Sequence, residues 1–240
     1  MPTLPEILSQ LQIISQETAL LGLFLTACIV LIGRDWRVLI LALLIQYVLV
    51  GVVLSRLTRP DIATLKVMIG AFICPILFLS ARQVSGRFRS MTLAINDVDG
   101  EAYGTGWRPM VASVTRLLVG QSRRRGPAAT GLIFRVFAAL LMILVAITLS
   151  STFRLPGLSA SVNTAVFWLI LAGLATLVLT EDPMKVGLGL FTTLTGFELF
   201  YTTVERSLLL TGLWGAVNLL IALVIGYLIV VKGTGSEEEF

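Results

Sequence analysis

Val186-Gly-Leu-Gly-Leu-Phe-Thr-Thr-Leu-Thr-Gly-Phe-Glu-Leu-Phe-Tyr-Thr-Thr203 decides how this chain is read. The run is long and apolar enough for a membrane helix, which takes about 20 residues. It nevertheless carries a carboxyl, Glu198. A carboxylate at such a depth costs on the order of 2.5 kcal/mol or more. Two uses offset that cost. The group binds or passes a cation or a proton, or it makes a structural hydrogen bond to a neighbouring helix. Both readings stay open on the residues alone.

Working outward, six further apolar runs have similar length. The seven spans predicted are 17–33, 36–55, 62–81, 131–150, 160–180, 183–204 and 208–231. The chain is 56% hydrophobic and 13% charged, with mean hydropathy +0.93. A soluble domain carries about a quarter charged residues. The fold class is therefore an all-α polytopic membrane helix bundle, facing lipid as well as itself. Gly33-Arg-Asp-Trp-Arg37, Thr180-Glu-Asp-Pro183 and Val204-Glu-Arg-Ser207 are short enough to make tight helical hairpins. Pro183 suits the first turn of its helix, where its missing N–H is not needed.

Lysine and arginine counts set the orientation. The stretch 82–130 holds Arg82, Arg87, Arg89, Arg108, Arg116, Arg123, Arg124 and Arg125. Arg34, Arg37, Lys185 and Lys232 fall on the same side, against Arg56, Arg59, Arg154 and Arg206 on the other. The expectation is an integral protein of the cytoplasmic membrane, N-terminus outside and C-terminus inside. Because the basic residues lie where topology places them, the net charge of +4 does not point to nucleic acid.

Outside the spans, 1–16 reads as an amphipathic interfacial helix. Thr3-Leu-Pro-Glu6 resembles a capping box, and Leu4, Ile7, Leu8, Leu11 and Ile14 follow at helical spacing. It lacks the basic start and cleavage-like site of a signal peptide. The segment 82–130 is expected to be a cytoplasmic basic loop that fixes topology or docks a neighbouring protein. The tail 232–240, with Glu237-Glu-Glu239, is solvated. Residues 17–81 form a first three-helix unit and 131–231 a four-helix unit. Spans 1–3 and 5–7 share a spacing that suggests a duplicated three-helix unit.

The candidate residues for an ion path are Glu198, Asn218, Lys66, Gln46 and Tyr201. Glu198 lies roughly 22 Å into its helix and Asn218 roughly 15 Å into the next, at 1.5 Å per residue. Adjacent antiparallel helices would bring the two to similar depth. Lys66 is early in span 3; it snorkels to the headgroups, or pairs with an acid of this chain or of a partner. Gln46, near the middle of span 2, needs an internal partner. Tyr47 reads as a packing residue, and Tyr201 falls near Glu198. Thr192, Thr193, Thr195 and Gly196 allow close helix approach or a wet cavity. Arg135 snorkels at the inner end of span 4.

Other chemistries lack their residues. There is no histidine, hence neither the usual haem ligand nor the commonest metal ligand. Cys28 and Cys74 lie apart and read as buried helix residues. Asp97, Asp99 and Glu101 lack calcium-loop spacing, and no phosphate-binding loop, dinucleotide fingerprint or nucleophile–base pair is present. Neither a catalytic centre, a cofactor nor a metal is expected. One intramembrane acid is a partial site, to be completed by other subunits.

Thr195-Gly-Phe-Glu-Leu-Phe-Tyr201 resembles the Ile-Gly-Leu-Glu-Ile-Met-Ile type of sequence in the second helix of subunit K of complex I. Trp214-Gly-Ala-Val-Asn-Leu-Leu-Ile-Ala-Leu-Val-Ile-Gly226 is similar to the third helix of that protein. Spans 160–231 share its three-helix layout. The seven-span chain resembles a longer relative of subunit K, the E-type membrane component of hydrogenase-4 and formate hydrogenlyase. Leu65-Lys-Val-Met68, Pro75 and Leu79-Ser-Ala-Arg82 are similar to the third helix of that component. The resemblance implies a non-catalytic subunit of a redox-driven proton or sodium pump, with antiporter-like partners in the bilayer and no cofactor. Glu198 would take the place of the first membrane glutamate and Asn218 of the second. The chain departs from the family in three ways: Asn218 cannot carry a proton, 82–130 is longer, and Pro183 to Glu198 is about a turn longer. The reading from another class is a scaffold subunit of a different respiratory or photosynthetic complex. A stand-alone transporter has little polar lining to support it.

Overall fold

Tight connections and long apolar runs produce an up-and-down bundle. The computed structural model describes residues 16–58, 60–102, 131–205 and 207–234. Its helices are α1 (Gln16–Ile32), α2 (Trp36–Leu57), α3 (Pro60–Ala102), α4 (Leu132–Thr152), α5 (Ala160–Val178), α6 (Pro183–Val204) and α7 (Leu208–Thr234). Five are long and apolar enough to cross a membrane: α2, α3 over Pro60–Val84, α4 over Ile133–Thr152, α5, and α7 over Leu208–Lys232. The other two are α1, apolar but only 17 residues long, and α6, which carries Lys185 and Glu198. The interfacial helix expected for 1–16 falls almost wholly outside the described residues. So do 103–130 and most of the acidic tail.

One boundary differs from the sequence reading. α3 does not end at 81 but continues to Ala102, so the first part of 82–130 is helical. Apolar content stops at the membrane edge, but helix propensity does not: Arg, Gln, Met, Leu and Ala continue the helix without a proline. Its 43 residues span about 64 Å at 1.5 Å each, twice a hydrocarbon core.

Local chemistry sets the other ends. Asp182 caps α6, its side chain accepting from the Met184 N–H at 3.4 Å, with Pro183 in the first turn. The α4–α5 connection turns at Gly157, whose φ of +78° suits glycine. Asn163 then holds this connection. Its amide donates to the Ser150 and Phe153 carbonyls at 3.0 and 2.9 Å and accepts from the Leu155 N–H at 3.4 Å. At the opposite, basic face, Lys185 donates to the Gly33 carbonyl and Lys232 to the Glu181 carbonyl, both at 2.9 Å.

Each helix of the first triplet lies against its counterpart in the second: α1 on α5, α2 on α6 and α3 on α7. α4 sits outside, on α5 and α1, with 17% of its membrane window buried against 61% for α2. Two apolar cores result. In one, the Trp168 ring stacks on Phe24 at 5.4 Å among residues of α1, α2, α4 and α5. The other lies between α2, α3, α6 and α7.

Small residues fix the register of this second core. Gly51 meets Val67, and Gly70 meets Tyr47 so closely that a Cβ there would lie 2.5 Å from the ring. α2 and α3 are thus antiparallel. The same offset separates Gly215 from Ile69 and Gly226 from Ser80, so α3 and α7 run parallel. Gly187 meets Ile225 across the antiparallel pair α6–α7.

Candidate functional site

Lys66 and Glu198 form an ion pair inside the second core, Nζ to Oε2. Their side chains are 0% and 3% exposed. Lys66 therefore does not snorkel. It is the partner of Glu198, the place the sequence reading gave to Asn218. The reason is register. Gly187 opposite Ile225 sets Glu198 level with Trp214, whereas Asn218 lies about a turn nearer the basic face. Lys66 starts near the opposite face, but α3 turns it inward among α2, α6 and α7.

Tyr47, read from sequence as packing, belongs to the site. The Lys66 ammonium lies 4.6 Å from the centre of its ring, a cation–π arrangement. The Tyr47 hydroxyl is oriented toward Thr195 and lies near Glu198, yet neither hydroxyl closes a hydrogen bond. The available signal was position: Tyr47 follows Gln46 inside an apolar run.

Seven buried side-chain atoms lack a hydrogen-bond partner among the described residues. They are Gln46 Nε2 and Oε1, the Tyr47 hydroxyl, Thr195 Oγ1, Glu198 Oε1, and Asn218 Nδ2 and Oδ1. The register places them at similar depth. Gly70 opposite Tyr47 puts Gln46 beside residues 71–72 of α3, and the α3–α7 offset puts Asn218 level with Phe72. Thr195 stands level with Val217. Gln46, Tyr47, Thr195 and Asn218 thus share one layer, up to about 9 Å from Lys66 toward the basic face. Beyond that layer the core is apolar: Leu39, Leu43, Ile73, Leu77, Leu188 and Phe191 are fully buried.

Gln46 is fully buried, and neither its Nε2 nor its Oε1 has a hydrogen-bond partner among the described residues. Tyr201 is half-buried and joins an aromatic group with Phe197 at 6.1 Å and Trp214 at 6.4 Å. Thr192 and Thr202 are buried too, but they are satisfied by the Leu188 and Glu198 carbonyls, at 2.8 and 2.9 Å. No cluster of three or more His, Cys, Asp or Glu side chains suited to a metal occurs among the described residues.

The chemistry available is that of one carboxyl and one amine buried in the core. Such a pair is held by its mutual attraction, and losing one partner strands the other charge. It can gain or lose a proton, and the polar layer beside it can accept or donate hydrogen bonds. No protein-family model, curated protein or solved structure matches this chain.

Proposed function

We propose that this chain is a non-catalytic membrane subunit in cation transfer, with Lys66–Glu198 as its protonatable centre. The observation that carries this is the buried pair, whose second carboxylate oxygen is one of seven buried polar side-chain atoms without a partner among the described residues. Buried polar groups in native proteins nearly always have partners, and exceptions point to strain, function or bound solvent. A purely structural group would look like Asn163, whose amide is engaged at both its N and O atoms.

The finer reading is a subunit of a redox-driven proton or sodium pump, like those of complex I and the group-4 hydrogenases. It is supported by the Thr195–Tyr201 and Trp214–Gly226 motifs and by the site holding a single acid. The partners would be antiporter-like subunits. The membrane would be the cytoplasmic one, with the basic face inside.

The test is Glu198→Gln in the native membrane, with assembly and the redox-driven ion gradient both measured. The expected result is loss of the gradient per assembled complex, with less complex assembled because Lys66 is left without its carboxylate. Full assembly with an undiminished gradient would leave the chain a scaffold. Copurification of the tagged chain tests the partners: antiporter-like subunits with a hydrogenase or quinone-reducing module support the pump reading, and an unrelated complex overturns it.

A further inference from the structure

The polar layer has a second property, independent of ion transfer. Its unpaired atoms are of mixed type. Gln46 and Asn218 each present a donor and an acceptor, Tyr47 and Thr195 each present a hydroxyl that can serve as either, and Glu198 presents an acceptor. A cation would use only the oxygens and would leave two amide nitrogens buried without partners. It would also add charge beside an ion pair that is already neutral. Direct pairing of the two amides is not what the structure shows, since all four of their polar atoms lack partners. The ligand that fits is one that both donates and accepts, with two to four polar neighbours, which is water.

We propose that Gln46, Tyr47, Thr195, Glu198 and Asn218 form a built water-binding chamber in the core of the bundle. The bound cluster satisfies the amides and hydroxyls and hydrates the free oxygen of Glu198. It ends at the apolar layer of Leu43, Ile73, Leu188 and Phe191, which offers water no hydrogen bond. On the other side it ends at the ion pair. Lys66 and Glu198 each lie six residues, about 9 Å, from the helix ends of that face.

Radiolytic hydroxyl footprinting of the whole protein in lipid nanodiscs tests this, because radiolysis of bound water labels the side chains beside it. Tyr47 is 1% exposed and Trp168 0%, so neither side chain is reached by bulk solvent. The expected result is Tyr47 labelled several-fold more than Trp168, which packs against Phe24 in the other apolar core. Equal, background labelling of the two would overturn the proposal without any variant. In the Gln46→Leu/Asn218→Leu double variant, Tyr47 labelling should fall to the Trp168 level; persistence at the wild-type level would overturn it as well. The transport reading fails separately. Tyr47 labelled, with an undiminished gradient in Glu198→Gln, keeps the chamber and removes the ion path.

Discussion

Lys66 is held from two sides at once: its ammonium lies over the Tyr47 ring, 4.6 Å from the centre, and pairs with the Glu198 carboxylate. A ring face and a carboxylate are both electron-rich, so the two contacts reinforce one another. The amine is fixed in position by α2 and α6 while its own backbone belongs to α3.

Removing one member of the pair should be far worse than removing both. Lys66→Met leaves a buried carboxylate unpaired and is expected to destabilise by about 3–5 kcal/mol. Lys66→Met with Glu198→Leu should recover most of that loss. Thermal unfolding in detergent, arranged as a double-mutant cycle, checks both numbers. A double variant whose loss equals the sum of the two single losses would rule out the coupling.

The two halves of Tyr47 should separate experimentally. Tyr47→Phe keeps the ring under the ammonium and is expected to shift stability by no more than about 1 kcal/mol, since the hydroxyl bonds no protein group. Tyr47→Leu removes the ring face and should cost about 2 kcal/mol or more. The same unfolding assay distinguishes them.

The two buried asparagines should respond unequally. Asn163→Ala removes the amide that holds the α4–α5 turn and leaves the Phe153 carbonyl without it, with an expected loss of about 1–3 kcal/mol. Asn218→Leu removes a group that bonds no protein atom and should cost only its share of the bound water, less than about 1 kcal/mol. Comparable losses at the two sites would mean that Asn218 has a structural partner after all.

Close helix approach predicts intolerance of volume. A Cβ on Gly173 would stand 2.6 Å from the Gly189 carbonyl oxygen, backbone against backbone. Gly173→Val should destabilise by about 1–3 kcal/mol or more, with the α5–α6 hairpin splayed. Gly212→Ala, where a Cβ meets nothing within 4 Å, is the matched control and should leave the melting temperature near that of the wild type.

Much of the fold is legible along the chain because each signal is local. Apolar run length gives the spans; Asp182-Pro183 gives the start of α6 almost to the residue. Two things are not local. The continuation of α3 beyond 81 is helix without apolar content, so the signal that marks spans fades while the backbone does not change. The Glu198 pairing is set by which helices neighbour one another. Depth along α7 suggested Asn218, and depth along α3 suggested a snorkelling Lys66. Only the register of α3 against α7 and α2, fixed by Gly70, Gly215 and Gly226, brings Lys66 to the carboxyl.

α3 packs chiefly on α2 and α7, not on α6, which carries Glu198. The Lys66–Glu198 link therefore acts as a strut across the bundle rather than as one bond within a broad interface. Relative motion of the α2–α3 and α5–α6 hairpins is resisted by this link together with the packing of α2 on α6. Unpairing Lys66 and Glu198 would leave the two hairpins held by apolar packing alone.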